Sequence, residues 1–104
     1  MLTKEDMKIR LKDIRDAYKA IRIMMETTVT GTTDIVYEKE IQDDKSTIIA
    51  CDPYCTKNMG FLGIIEMRER VSTTGFNLVN LRGCSNSKNS CTVQFIFERR
   101  YPVN

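Results

Sequence analysis

The sequence predicts an α+β domain in which one long N-terminal amphipathic helix packs on a mostly antiparallel sheet of about five strands. Three observations carry that expectation. Apolar residues near the start recur at spacings of three and four, the period of a helix face. From Asp34 onward the period shortens to two, and β-branched and aromatic residues dominate. With 104 residues the chain can bury one core, so a single domain over 1–104 is expected, helix at about 3–27 and sheet at about 34–99.

The helix start is written in Leu2-Thr3-Lys4-Glu5-Asp6-Met7. A hydroxyl stands at the N-cap and a carboxylate three residues on, with apolar residues placed for a staple. Met7, Leu11, Ile14, Tyr18, Ile21 and Met25 then line one face. Thr27 to Thr33 is β-branched and contains Gly31, so the helix should stop there. In heptad terms Leu11 and Tyr18 fall at a, Ile14 and Ile21 at d, Lys8, Arg15 and Arg22 at e, and Arg10, Ala17 and Met24 at g. No acid answers those bases, so a zipper is disfavoured. Ala17, Ala20 and Met24 widen the apolar face, which suits packing across a sheet.

Ile35, Tyr37 and Ile41 alternate on a first strand, and Ser46 to Cys51 is apolar on both faces, which marks a central second strand. The polar turn Gln42-Asp43-Asp44-Lys45 joins them as a hairpin, and Asp52-Pro53 ends the second. Phe61 to Val71 is ambiguous. Glu66, Met67 and Arg68 are good helix formers, but Gly63 would cost a helix about 1 kcal/mol and the segment is short; a strand is slightly favoured. Ser72 to Gly75 reads as a turn, Phe76 to Leu81 as a strand, and Gly83 to Ser90 as a polar loop. Cys91 to Arg99 is the clearest strand, with Val93, Phe95 and Phe97 opposite Gln94 and Glu98.

Composition removes several function classes. There is no histidine, so Ser-His-Asp and Cys-His catalysis and histidine metal ligation are excluded. No phosphate-binding loop, dinucleotide fingerprint or calcium loop is present. The chain is therefore expected to be no enzyme, with no catalytic residues and no cofactor. A net charge of +2 lacks the basic excess of a dedicated nucleic-acid binder. No secretory leader or membrane-spanning run is evident, so a soluble, cytoplasmic protein with reduced thiols is expected.

Four cysteines, Cys51, Cys55, Cys84 and Cys91, flank two loops and raise the question of zinc. In a meander, Cys51 and Cys91 would sit on strands three apart, about 14 Å at roughly 4.8 Å per step. Zinc holds its ligands at about 2.3 Å. Free or structural thiols are thus favoured over zinc or disulfides, and no metal site is expected.

Two sets of residues are candidates for binding. Lys8, Lys12, Arg15, Lys19 and Arg22 form a basic stripe on the helix that could meet an acidic partner or phosphates; the ordinary explanation is a solvated flank. Arg68, Arg70, Thr73 and Thr74 near one turn, with Tyr54, Arg82, Asn86, Lys88 and Asn89 at the cysteine loops, have the donors to hold an anion, and Tyr54 could stack a base. The function expected is a small non-enzymatic binding protein, homodimeric, that sequesters a small anionic or nucleotide ligand or blocks a partner protein. The alternatives are a nucleic-acid-binding or regulatory protein using the stripe and, last, a cysteine- or tyrosine-dependent enzyme. The homodimer is expected because one helix gives scant cover to a sheet with a two-sided apolar strand.

Overall fold

The computed structural model describes residues 1–26, 35–52, 61–85 and 91–102. Its elements run α1 (Lys4–Met25), β1 (Val36–Ile41), β2 (Lys45–Asp52), α2 (Phe61–Ser72), β3 (Asn77–Ser85) and β4 (Cys91–Arg100).

The first helix starts at the expected cap. Thr3 Oγ1 accepts from the Asp6 amide at 3.1 Å, and Asp6 Oδ2 accepts from the Thr3 amide at 3.1 Å. That reciprocal pair satisfies two donors that a helix start otherwise leaves open. Accepting the backbone N–H of Thr3 holds the Asp6 carboxyl below its ordinary pKa. The buried face is wider than the seam of Met7, Leu11, Ile14, Tyr18, Ile21 and Met25. It comprises Arg10, Ile14, Ala17, Tyr18, Ile21, Met24 and Met25, whereas Met7 and Leu11 are exposed. A helix lying across a sheet and a second helix buries a broad stripe for which two residues per heptad are not enough.

The sheet has four strands among the described residues, in the order β1-β2-β4-β3, every neighbouring pair antiparallel. Two sequence expectations are corrected here. The count falls from about five to four because Phe61–Ser72 is a helix. Ile64, Met67 and Val71 follow helical spacing; Met67 and Val71 are fully buried, and Ile64 packs against the core. Each full burial is worth about 1.5–3 kcal/mol, which outweighs the roughly 1 kcal/mol charged to Gly63. The order is also no meander, since β2 lies beside β4. The chain therefore repeats a helix–hairpin unit, α1-β1-β2 then α2-β3-β4, with the inner strand of each hairpin at the centre.

A third correction concerns β3, which continues through Gly83, Cys84 and Ser85 instead of turning into a loop. Gly83 pairs with Val93, Cys84 with Thr92 and Ser85 with Cys91, so ladder hydrogen bonds override the polar composition. Near its start β3 carries a register shift between Leu78 and Asn80. The extra residue, Val79, lets Leu78 and Leu81 reach the same face although they are three apart. Gly75, at φ +88°, takes the left-handed turn after α2 that a side chain resists.

Both helices lie on one face of the sheet. There Ile48 and Ala50 of β2, Phe95 and Phe97 of β4 and Leu78 of β3 meet the buried residues of α1 and α2 in one core. Tyr18 stacks on Tyr37 with ring centroids 3.7 Å apart, and its hydroxyl donates to the Ile35 carbonyl at 2.7 Å. Burial raises the Tyr18 pKa above that of an ordinary phenol. No helix among the described residues is long and apolar enough to cross a membrane.

Candidate interaction surface

The register decides what the other face of the sheet presents. Glu38 pairs with Ile49, Ile49 with Ile96 and Ile96 with Asn80, so one row crosses all four strands. The next row in one direction is Glu40, Thr47, Glu98 and Asn77; in the other it is Val36, Cys51, Gln94 and Arg82. Alternation puts these rows on the face away from the helices. Ile49 and Ile96 are partly buried by their neighbours yet lie outside the core cluster. Val36 at the edge and Val79 at the bulge are 61% and 51% exposed. No described element covers this face, so two central isoleucines and two valines stand on its water side.

Charges frame the apolar centre. β1 contributes the exposed Glu38 and Glu40, and the opposite edge contributes the exposed Asn77, Asn80 and Arg82. At one end Lys45 Nζ lies 3.4 Å from Glu98 Oε1, Arg100 lies 3.4 Å from the same oxygen, and Arg100 also reaches Asp44 at 3.3 Å. Glu98 Oε1 is buried without an aligned hydrogen bond, but its two cations hold its charge. That end of the face is internally neutralised.

The predicted binding residues are not brought together. Lys8, Lys12, Arg15 and Lys19 are exposed on α1 and Arg22 partly so. Lys8 lies 3.8 Å from Glu5, Lys12 is 2.7 Å from Asp16 and Arg22 is 3.1 Å from Glu26. Asp16 thus borders the stripe, and its hydrogen bond from Lys12 holds its pKa below the ordinary value. Arg15 and Lys19 have no ion pair among the described residues.

Arg68 and Arg70 are exposed on α2. Beside them the Thr73 and Thr74 hydroxyls donate to the Arg70 and Val71 carbonyls, each at 2.7 Å. Those protons are committed to the helix's C-terminal end, which carries partial negative charge and repels an anion. Arg82 stands apart on the open face. Tyr54, Asn86, Lys88 and Asn89 lie outside the described residues. The strand-spacing case against a shared cysteine site also changes, because β2 and β4 are adjacent: Cys51 pairs with Gln94, three residues from Cys91. Cys55 lies outside the described residues, and among those described no group of three possible ligands could hold a metal.

Two features had weak sequence signals. Ile96 interrupts the polar side of β4 between Gln94 and Glu98, an odd position that alternation alone could have flagged. Arg10 is buried on α1, donating to the Gln42 carbonyl and, at 2.8 Å, to the Asp43 carbonyl. It lies 4.0 Å from the centre of the Tyr101 ring, whose amide bonds the Asp44 carbonyl at 2.8 Å. This clamp ties α1 and the segment after β4 to the β1–β2 turn, and its role is structural.

Comparison of the chain with protein-family models, with curated proteins and with solved structures finds no match.

Proposed function

We propose that this is a non-enzymatic, cytoplasmic binding protein whose working surface is the open face of the sheet, which holds a protein surface in the manner of an inhibitor or adaptor. The observation that supports this reading is the Ile49–Ile96 pair at the centre of a face that no described element covers. An apolar centre inside a polar rim is the anatomy of a protein contact. A small anionic or nucleotide ligand takes second place, because the hydroxyls offered for it already bond helix carbonyls.

The test compares native mass spectra of the chain and its Ile96→Lys variant, each purified from the cells that make it. The native chain should carry a stoichiometric protein partner, its own copy or another, and the variant should lose it while keeping its circular dichroism. Equal retention by both, or a bound small molecule with no protein, would sink the reading.

A second reading, nucleic-acid binding by the helix stripe, has support in Arg15 and Lys19, which no described acid pairs. A steep log-log fall of duplex binding with salt would mark it.

A further inference from the structure

We infer that the occupant of the open face is a second copy of this chain, stacked face to face about a twofold axis parallel to the strands. This rests on the open face being the working surface. The sheet's edges are poor docking sites. β1 carries Glu38, Lys39 and Glu40 in a row, all exposed, and β3 is broken by the bulge at Val79; edge charges and bulges both discourage strand addition. The face remains.

Charge selects the axis. A twofold perpendicular to the strands would lay β1 on the second copy's β1 and set Glu38 and Glu40 against themselves. A twofold parallel to the strands lays β1 over the second copy's β3. Glu38 then faces Asn80 and Glu40 faces Asn77, while Arg82, one row further along opposite Val36, lies within a long side chain's reach of Glu38, so the acids meet amide and guanidinium donors. The same operation sets Ile49 of one copy over Ile96 of the other, because β2 and β4 are the two central strands. Each isoleucine thus finds an apolar partner across the roughly 10 Å that separates stacked sheets.

The available area is small. Four strands at about 4.8 Å spacing and roughly 24 Å of strand length give about 450 Å² from each copy. Both together reach roughly 900 Å², about a quarter below the roughly 1,200 Å² at which specific, stable interfaces begin. A reversible dimer at micromolar concentration is expected, not an obligate one.

Sedimentation equilibrium of the full chain across micromolar concentrations tests this, with circular dichroism as the folding control. Ile96→Lys should abolish the dimer. Arg82→Glu alone, and Glu38→Arg with Glu40→Arg, should each weaken it about tenfold or more. Mixing those two variants should form a heterodimer, since each then offers the charge that the other lacks. A dimer that all of these substitutions leave unchanged overturns both the second copy and the open-face reading. A monomer at every concentration overturns the second copy alone if the native chain still carries a different protein that Ile96→Lys releases.

Discussion

The two halves of the molecule have the same order, helix then hairpin, but they are held by different means. α1 declares itself locally: 22 residues, a reciprocal cap at Thr3 and Asp6, and a Tyr18 hydroxyl that pins the approach to β1. α2 has 12 residues, a glycine at its third position and no acid in its first turn. Isolated helices that short are marginal in water. What keeps α2 helical is the pair Met67 and Val71, both fully buried between α1 and the second hairpin. The difference teaches that one architecture can be written once in local signals and once in burial alone.

The largest expected effect falls on the second half. Met67→Ala removes a fully buried side chain from α2 and should cost about 2–5 kcal/mol in urea unfolding. Because α2 has little helical tendency of its own, its far-UV signal should weaken before the sheet melts. A loss below about 1 kcal/mol would mean that local propensity holds α2 after all.

In the first half, Thr3→Ala should cost about 1 kcal/mol by the same measurement. The pH signature of the cap belongs instead to Asp6, whose carboxyl accepts the Thr3 backbone N–H, a donor that Thr3→Ala keeps. In the native chain that carboxyl is depressed, so its contribution is present above the unfolded pKa and is lost as pH falls through the folded value. An Asp6→Asn chain, which lacks that carboxyl, should therefore lose less stability between neutral pH and acid than the native chain does.

Tyr18→Phe is expected to cost a similar amount, about 0.5–1.5 kcal/mol for the bond to the Ile35 carbonyl. Its pH signature is opposite. The Tyr18 pKa is raised by burial, so its contribution is complete below the unfolded phenol's value and fades as pH rises toward the folded one. Removing the hydroxyl should flatten the alkaline decline in melting temperature. An unchanged alkaline limb would assign that decline to other groups.

Much of the fold was legible because it rests on short-range chemistry. The cap, the hairpin across Gln42 to Lys45 and the alternation of Val93, Phe95 and Phe97 all depend on residues a few positions apart. The binding surface was only half legible. Ile49 could be read as apolar on the wrong side of a central strand, but its partner Ile96 is 47 positions later, and alternation on β4 named only polar residues around it. Val79 was hidden by a bulge that shifts the face of every residue after it. Arg10 stood in the sequence only as a base at a heptad g position, since its acceptors are carbonyls of a turn more than thirty residues away.

The sequence by itself determined that α1 exists and where it begins, that β2 is central, and that ordinary histidine chemistry is absent. Tertiary structure alone decided that residues 61–72 are a helix, that β2 lies against β4, and that Ile49 meets Ile96 on the uncovered face. The physical reason is range. Caps, turns and alternation are fixed by neighbouring backbone and side-chain groups, whereas strand order and the fate of a short ambiguous segment follow from which apolar surfaces can be buried together.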